Sequence, residues 1–523
     1  MFFARFSLCH NFFVSGNDFW FMQRNRTAQT ILTYWPAAVP FWVPFLLYLV
    51  TLAPTVYNLD SAELTTAAAT GGIVRATGYP LYLVLGWFWS KLPLGDVGFR
   101  LNLFSAFCGA ATIWLADRSM RRLGLERWAR WGALGLLMAA PFFWAMSVIA
   151  EVYALHAMLV AALILALLRW REQPTAARLF WPALILAVSA GNHAATVLLV
   201  PGTALFLLLT QPRFLQQPRN YLAVGGALLI GGAIFLYLPL RALAAPAFNY
   251  AGTYDAAGTF RPVDLTSFSG FLWLVTGRSF SGQMWGYTLQ ETPAQWLGFL
   301  RQLIEAFFVV GIIPGLVGMV TLWRRDPRLS VFLGLTFLLH TTFYVHYRVV
   351  DKNTMFLPSY LIWAFWLANG YAPLLNWLRA EGPDQRRLLQ LGQLAILLAV
   401  GGSLFWNFGR VDQSDDWSTR EQSEAIMAEI EPNAVVFGWW DVVPGLQYLQ
   451  LVEGQRQDVL IINRFLISGD DMEQFILTEA GNRPIYINNP PLSLIQVMDV
   501  EEEDYLFRLH PISQTDLVSE GGS

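Results

Sequence analysis

Long apolar runs, separated by short arginine-rich segments, dominate the chain up to about residue 408. Runs such as FWVPFLLYLVTLA, MLVAALILALLRW and YLAVGGALLIGGAIFLYLPL approach the roughly 20 apolar residues that a transmembrane helix needs. Trp and Tyr stand at many of their ends, as in the aromatic belts of membrane interfaces. The pattern predicts a polytopic α-helical membrane protein with about eleven spans. The predicted spans are residues 37–53, 99–117, 129–149, 151–169, 179–191, 194–209, 221–240, 303–323, 330–347, 355–378 and 388–406.

The pattern changes after Arg410, where short strand-like runs alternate with helix-like stretches. The runs AVVFGWW (434–440), DVLIIN (458–463) and PIYIN (484–488) are rich in β-branched and aromatic residues. PGLQYLQLVEG and DDMEQFILTEAG lie between them, and this alternation predicts a small parallel α/β domain. The predicted organisation is an N-terminal cytoplasmic segment 1–36, a transmembrane domain 37–408 with outer loops 54–98 and 241–302, and a soluble acidic α/β domain 409–523.

Composition and charge support this division. Hydrophobic residues make up 55% of the chain and charged residues 14%, against roughly 25% charged in a typical soluble domain. From Arg410 onward there are 6 Arg, no Lys and 21 acidic residues, a net charge of −15, whereas the preceding part carries +12. Cys9 and Cys108 cannot form a disulfide framework, and no CxxC, HExxH or Walker motif occurs. The first residues lack the features of a signal peptide, and Met22 is an alternative start.

The arginines predict the orientation in the membrane. If the N-terminus is cytoplasmic, the short inner loops carry 16 arginines, and the longer outer segments carry nine basic residues. This positive-inside asymmetry assigns the outer loops and the α/β domain to the extracytoplasmic face of a plasma (inner) membrane. Residues 80–94 are too short for a span and are predicted to form an interfacial or re-entrant helix. Residues 191–193 are predicted to be the turn of a helical hairpin.

Charged and polar side chains gather at the outer ends of the predicted spans. Asp60 and Glu63, in NLDSAELTTAAATGGIVRATGYP, are three residues apart and could share one face of a helix. One interpretation is a capping box, with Asp60 as N-cap and Glu63 reaching back to it. The other is chemistry, because a carboxylate beside an apolar wall can act as a general base. Charged groups at membrane depth tend to face a functional cavity.

Several segments recur in the order of a known family: LAPTVYNLDSAELTTAAATGGIVRATGYPLYLVLG, FRLNLFSA, the stretch 150–168, GNHAA and YLPLRA. Together they resemble a bacterial family of multi-span proteins related to the protein O-mannosyltransferases, within the GT-C fold class of glycosyltransferases. The resemblance covers most of residues 45–370. It implies transfer of a mannose or other hexose from a polyisoprenyl-phosphate donor to an acceptor hydroxyl on a protein or glycan, outside the cytoplasm and with inversion.

The resemblance also implies where the site lies. The family's acidic motif falls at Asp60 and Glu63, the predicted catalytic residues, with Asp60 as base and Glu63 assisting. The family usually has His-Pro-Pro before Gly-Tyr-Pro, where this chain has Arg75-Ala76-Thr77. Cations suit a lipid-phosphate leaving group, although each could instead be an interfacial cation. The predicted donor-phosphate ligands are Arg75, Arg241, Arg348 and Lys352.

Further polar residues are predicted to contact substrate. A structural role stays open for the histidines among them. No cofactor is predicted: a divalent metal on Asp60, Glu63 and His193 is an open alternative, but no ligand spacing signals it. The predicted substrate-binding residues are Tyr79, Glu151, Tyr153, His156, Asn192 and His193. Trp439, Trp440 and Asp441 follow a predicted strand and are candidates for acceptor recognition, with packing as the alternative.

Two other functions are compatible with a polytopic chain. A transporter or flippase of lipid-linked sugars would have polar residues near the membrane midplane and related halves or broken helices. A scaffold that displays the acidic domain would leave the outer carboxylates and cations unexplained. The sequence shows no internal repeat and its polar residues gather at one face, which favours the transferase.

Overall fold

The computed structural model describes residues 38–379 and 383–512. The predicted segment 1–36, the alternative start at Met22 and Cys9 lie outside these residues, whereas Cys108 is buried in the helical core. The helices of the transmembrane part are α1 Ala38–Val50, α2 Asp60–Thr70, α3 Pro80–Ser90, α4 Val97–Arg122, α5 Arg127–Met138, α6 Pro141–Ala145, α7 Val152–Glu172, α8 Ala176–Ala190, α9 Val200–Thr210, α10 Pro218–Gly232, α11 Tyr237–Leu243, α12 Phe268–Val275, α13 Thr292–Ala306, α14 Ile312–Arg325, α15 Pro327–Val345, α16 Leu357–Trp377 and α17 Pro383–Val411.

The ends of these helices follow from local sequence. Asp96, Thr175 and Asp326 accept hydrogen bonds from backbone N–H groups at the starts of α4, α8 and α15. These side chains satisfy donors that a helix start leaves without partners. Arginines occupy the last turns of α4, α7 and α14, where a positive charge is favoured by the helix dipole.

Five stretches of the described chain are long and apolar enough to cross a membrane: α4, α7, the α10–α11 stretch Pro218–Leu243, α15, and Arg386–Val411 of α17. Helices Ala38–Val50, Ala176–Ala190 and Ala194–Thr210 are apolar but shorter. The count of eleven spans is therefore not confirmed.

Two of the predicted spans are interrupted. Span 129–149 is divided between α5 and α6, because Pro141 has no N–H to continue the helix. Span 303–323 is divided between α13 and α14, where Phe308 and Val309 have positive φ angles of 49° and 58°. Both interruptions replace one continuous span with two shorter helices.

Two shorter predictions concern residues 80–94 and 191–193. Helix α3 has 11 residues and begins with Pro80 at its first turn, so it is too short to span, as predicted. A turn does separate α8 from a 3-10 helix at Ala194–Leu199, which leads into α9. The two arms of this hairpin pack on different neighbours, however: α8 on α7 and α10, and α9 on α15.

The C-terminal part contains a five-stranded sheet. Its strands are β3 Val435–Gly438, β4 Leu460–Asn463, β5 Ile485–Ile487, β6 Met498–Glu502 and β7 Phe507–Pro511. The helices of this part are α18 Ser418–Glu429, α19 Val443–Leu451, α20 Gly469–Glu479 and α21 Leu492–Ile495. Earlier in the chain, β1 Gly252–Tyr254 and β2 Phe260–Pro262 form a separate antiparallel pair. The order is β4-β3-β5-β7-β6. The three predicted strands pair in parallel, Val436 facing Ile461 and Tyr486.

The prediction of a parallel α/β domain holds for these three strands, but two further strands that were not predicted make the sheet mixed. Strands β6 and β7 pair antiparallel, and β7 is also antiparallel to β5. Only residues 503–506 join β6 to β7, and so short a connection can form a hairpin but not a crossover between parallel strands.

The C-terminal sheet domain packs directly on the first outer loop. Val56 and Ala62 belong to the same buried apolar cluster as residues of α18 and α19, and α19 packs against α2. The Tyr448 hydroxyl accepts a hydrogen bond from Gly98 N at 3.2 Å, and Arg420 bridges Asp96 at 3.2 Å and Glu453 at 2.8 Å. The acidic domain is therefore in contact with the segment that carries Asp60 and Glu63.

Candidate active site

The two carboxylates in the first turn of α2, those of Asp60 and Glu63, do not cap the helix. Its N-cap is Leu59, with φ 54°, and no side chain makes a capping hydrogen bond there. The capping-box interpretation of Asp60 and Glu63 is therefore wrong. The reason is a competing partner: both carboxylates turn toward Arg75, which lies beyond the end of the same helix.

Arg75 joins the two carboxylates. Its guanidinium forms an ion pair with Asp60, and its Nε lies 3.8 Å from Glu63 Oε2. Its backbone N–H donates to Glu63 Oε1 at 3.0 Å. Trp440, from the loop after β3, covers the guanidinium with a carbon-to-centroid distance of 4.2 Å, which suits a cation–π interaction. Residues separated by hundreds of positions thus hold one cation.

The charges of this group are shifted by burial. Glu63 is 2% exposed, and burial raises its pKa to about 7, although Arg75 opposes the shift. Burial acts to lower the pKa of Arg75, but Asp60 and Glu63 raise it further, so the guanidinium stays charged. Near neutral pH the group contains a fixed cation and a carboxyl group, Glu63, poised to hold a proton.

Residues of α11 and of the beginning of the long outer loop hold the segment before Arg75. Ile73 exchanges backbone hydrogen bonds with Phe248 at 3.0 Å and Tyr250 at 2.8 Å. The Tyr237 hydroxyl donates to Gly72 O at 2.7 Å, and Arg241 Nε donates to Gly71 O at 2.5 Å. Arg241, predicted as a phosphate ligand, thus contacts the carboxyl end of α2, where a positive charge is favoured.

A cavity of about 280 Å³ opens beside the ion pair. Its walls come from the start of α2, the segment 75–79, the first turn of α7, the 3-10 helix after His193, the loop near 280 and the chain after α15. The lining residues are Asp60, Arg75, Ala76, Thr77, Tyr79, Tyr153, His193, Ala194, Ala195, Val197, Leu198, Thr276, Gly277, Phe280, Met284, Phe343, Tyr344, Tyr347, Val349, Asp351 and Met355. Five of the predicted site residues, Asp60, Arg75, Tyr79, Tyr153 and His193, therefore meet in one space.

The Gly-Tyr-Pro turn shapes one wall. Gly78 has φ 81°, and a Cβ there would lie 3.0 Å from a Leu238 methyl group. Tyr79 also has a positive φ, 39°, and precedes Pro80. Such a backbone is unfavourable for Tyr, and it directs the residue to the cavity wall.

His193 is neutral and oriented. Its Nδ1 accepts a hydrogen bond from Ala195 N at 3.1 Å, so Nδ1 carries no proton and Nε2 carries one. Burial lowers the pKa of His193 to about 4, which keeps this state at neutral pH. The ring can donate one hydrogen bond through Nε2.

Sequence reasoning missed Asp351 and Tyr347, which also line the cavity. Burial raises the pKa of Asp351, and the charge of Asp60 adds to the effect. Both residues belong to the segment YRVVDKN (347–353). From this segment the sequence analysis selected only Arg348 and Lys352, because cations were expected to bind the phosphate. The polar character of Asp351 and Tyr347 within an apolar context was the available signal.

Other predicted residues lie outside the cavity lining. Arg348 pairs with Glu291 at 3.5 Å, and Lys352 donates to the hydroxyl of Tyr287 at 3.0 Å. Glu151 Oε2 accepts from Val152 N at the start of α7, at 3.3 Å. The roles of these residues with substrate stay predictions.

Two buried polar residues lie behind the cavity. Asn192 donates to the Val152 carbonyl at 3.1 Å. The His156 ring lies with its centroid 5.3 Å from that of His193, and neither of its nitrogens has a hydrogen-bond partner among the described residues. Both residues support the wall that carries His193.

The two tryptophans after β3 have different surroundings: Trp440 contacts the candidate site and Trp439 does not. Trp440 covers Arg75, whereas Trp439 packs on Phe465 with centroids 5.0 Å apart and under Arg464 at 4.2 Å. Asp441 lies 3.4 Å from the Asn488 side chain. Within residues 38–379 and 383–512, no three His, Cys, Asp or Glu side chains are grouped to hold a metal ion.

Comparison with known sequences identifies relatives. The family described as "Protein O-mannosyl-transferase TMEM260 N-terminal domain" matches residues 60–216. The protein O-mannosyl-transferase tmem260 of Dictyostelium discoideum is 23% identical over 496 residues, which cover 83% of this chain and 57% of that protein. The mouse (Mus musculus) protein TMEM260 is 31% identical over 450 residues, 80% of this chain and 61% of that protein. The chain thus spans about three-fifths of these curated relatives, and the predicted resemblance to the protein O-mannosyltransferases is confirmed.

Comparison with solved structures identifies the fold. ArnT from Cupriavidus metallidurans, bound to undecaprenyl phosphate, aligns with a TM-score of 0.58 at 14% identity, over 93% of this chain and 99% of that chain. Its apo state aligns with a TM-score of 0.50 at 13% identity, over 93% and 98%. At this identity the similarity shows the fold, which is the predicted GT-C fold. Together with the apolar helices, it identifies a multi-pass membrane protein.

Proposed function

We propose that this chain is a membrane glycosyltransferase that moves a hexose, with mannose as the first candidate, from a polyisoprenyl-phosphate carrier to an acceptor hydroxyl. The relatives are named protein O-mannosyl-transferases, and the structurally similar ArnT was crystallised with undecaprenyl phosphate. The observation that carries the proposal is the Asp60–Arg75 pair in the cavity wall. It joins a carboxylate that can accept a proton to a guanidinium that can hold a phosphate.

In the proposed reaction the acceptor oxygen attacks the anomeric carbon of the donor sugar, while the bond from that carbon to the phosphate oxygen breaks. Asp60 takes the proton of the acceptor hydroxyl. The electron pair of the broken bond leaves with the polyisoprenyl phosphate, whose negative charge Arg75 stabilises. A single displacement of this kind inverts the configuration at the anomeric carbon.

Arg75 connects donor binding to the release of Asp60. The guanidinium of Arg75 is paired with Asp60. A phosphate offers oxygens that match the planar fork of arginine, so the phosphate of an arriving donor competes with Asp60 for the guanidinium. Once Asp60 is displaced, its carboxylate can accept the proton of the acceptor hydroxyl. The bond from Arg75 N to Glu63 and the ring of Trp440 keep the residue in position during the exchange.

The remaining walls suit a sugar and a lipid. His193 can donate from Nε2, and Asp351 and the hydroxyl groups of Tyr79 and Tyr153 can bond to sugar hydroxyls. Val197 lines the cavity and is also 66% exposed, so the cavity opens at the surface of an apolar helix. We assign the lipid chain to this opening, because a polyisoprenyl tail remains in the bilayer.

The arginine asymmetry supports a reaction on the extracytoplasmic side of the plasma membrane. The C-terminal domain then contributes to the donor site through Trp440. Trp439 and Asp441 lie next to Trp440 and are proposed to contact the acceptor. No metal is required by the proposed step, since Arg75 supplies the positive charge.

The test uses purified protein in liposomes with a polyisoprenyl-phosphate mannose and a peptide that contains serine and threonine. The proposal predicts mannosylated peptide and an equal amount of released polyisoprenyl phosphate. A transporter or flippase would instead move the intact donor between leaflets without consuming it. Donor movement without peptide modification, across a panel of peptide and glycan acceptors, would overturn the proposal.

A further inference from the structure

Two adjoining cavities lie at the far end of α7, the helix that contributes Tyr153 to the candidate active site. The first, of about 430 Å³, is lined by four arginines and a tryptophan, Trp114, Arg118, Arg121, Arg122 and Arg169. The second, of about 510 Å³, shares Arg122 and Arg169 and adds Leu115, Ala162, Leu165, Ala166, Glu172, Arg178, Trp181 and Ile185. Arg169 follows Tyr153 by 16 residues on α7, about 24 Å along the helix.

The charge of this region is unbalanced. Its linings contain five arginines and one acidic residue. Arg121 also pairs with the buried Asp117 at 2.5 Å, so an excess of three positive charges remains. Arg122 is paired with Glu172 through both carboxylate oxygens, at 2.7 and 2.6 Å. Arg118 lies over the Trp114 ring at 5.2 Å, and its Nε is buried without a hydrogen-bond partner among the described residues. A buried guanidinium donor without a partner calls for an anionic acceptor.

An apolar groove continues from the arginines. Leu115 of α4, Ala162 and Leu165 of α7 and Ile185 of α8 form its floor. Trp181, at its edge, is 58% exposed. Helices α4 and α7 have the length and hydropathy of membrane spans, and Arg121, Arg122 and Arg169 lie in their last turns. The arginines therefore lie near the membrane surface, with the groove directed into the apolar layer.

We propose that these two cavities bind an anionic glycerophospholipid. The phosphate would contact Arg118, Arg122 and Arg169, and an acyl chain would occupy the groove beside Trp181. Basic pockets between transmembrane helices recognise lipid headgroups in this manner. The excess of positive charge favours an anionic over a zwitterionic headgroup, and the groove favours a lipid over free phosphate. This site is independent of the proposed transferase activity.

The experiment compares lipids on the purified full-length chain in a neutral detergent. Phosphatidylglycerol, phosphatidylcholine and inorganic phosphate are added separately, with thermal melting and native mass spectrometry as readouts. Phosphatidylglycerol should raise the melting temperature and stay bound, whereas phosphatidylcholine and phosphate should do neither. The double variant Arg118→Gln/Arg169→Gln, which leaves the Arg122–Glu172 pair intact, should lose at least tenfold in phosphatidylglycerol affinity.

The matched control is Arg324→Gln/Arg328→Gln. These arginines are exposed near the end of α14 and the start of α15 and do not line either cavity, so the same charge is removed and lipid affinity should persist. An equal loss of phosphatidylglycerol affinity in both double variants would mean diffuse charge attraction and would overturn the proposed site. A rise in melting temperature with inorganic phosphate as large as that with phosphatidylglycerol would overturn the proposal that the ligand is a lipid. Arg169 is exposed, so Arg169→Gln alone keeps the test open if the double variant fails to fold.

Discussion

Replacement of Asp60 by asparagine should remove the proposed base while preserving its shape. The amide cannot accept the acceptor proton, so transfer should fall by about 10²–10⁴-fold, which corresponds to a rise of roughly 3–5 kcal/mol in the activation free energy. Donor affinity should not fall, because the neutral amide holds Arg75 more weakly than the carboxylate does and therefore competes less with the donor phosphate for the guanidinium. The loss should therefore appear in kcat and not in the KM for the donor.

The same change should cost little stability. Asp60 makes no capping hydrogen bond at the start of α2, so the change removes no cap from the helix. The loss is confined to the pair with Arg75, whose two side chains are 23% and 25% exposed. A partly exposed pair contributes up to about 1 kcal/mol. A larger fall in thermal stability would mean that Asp60 mainly supports the fold.

The assay follows mannosylated peptide from a polyisoprenyl-phosphate mannose, with the melting temperature of each variant measured alongside. Asp96→Asn is the matched control: Asp96 lies in the same outer loop and pairs with Arg420 at 3.2 Å, but it does not line the cavity. Asn can also keep its cap on Phe99 N. Near-normal turnover in Asp60→Asn, or an equal loss in Asp96→Asn, would refute the reasoning.

Three further predictions test the surroundings of Asp60. Burial raises the pKa of Glu63 from 4.5 to about 7, so the folded protein should lose stability as the pH rises through this range and Glu63 loses its proton. The melting temperature should therefore fall with pH across this range for wild type and stay more nearly constant for Glu63→Gln. Parallel profiles of melting temperature against pH would contradict this. Trp440→Ala should raise the KM for the donor more than Trp440→Phe, because the ring holds Arg75; equal KM values would remove that role. Arg75→Gln should raise the KM for the donor far more than Lys352→Gln, since of these two residues only Arg75 lines the cavity. A larger effect of Lys352→Gln would mean that the phosphate binds near Lys352 instead.

Local sequence was sufficient for much of the fold. The runs at 434–440 and 458–463 become β3 and β4 because their β-branched residues are fully buried on a parallel sheet. The edge hairpin β6–β7 was missed, since MDVEE is acidic and exposed along most of its length. The break at Pro141 was readable from the residue itself, whereas the break at Phe308 depends on a backbone conformation that no residue type signals.

The candidate site was only partly readable. Asp60, Arg75 and Tyr79 lie within one short segment, so a motif could identify them together. Trp440 could not be assigned to Arg75, because the contact joins residues 365 positions apart and depends on how the C-terminal domain packs on α2. Asp351 was overlooked because its neighbours in the motif are cations.

The most direct test of the central claim is an experimental structure of the protein with a polyisoprenyl-phosphate hexose bound. The account predicts a phosphate oxygen within hydrogen-bond distance of the Arg75 guanidinium, the anomeric carbon facing Asp60, and the lipid leaving beside Val197. A phosphate bound at Arg348 and Lys352, with the Asp60–Arg75 pair intact, would contradict it.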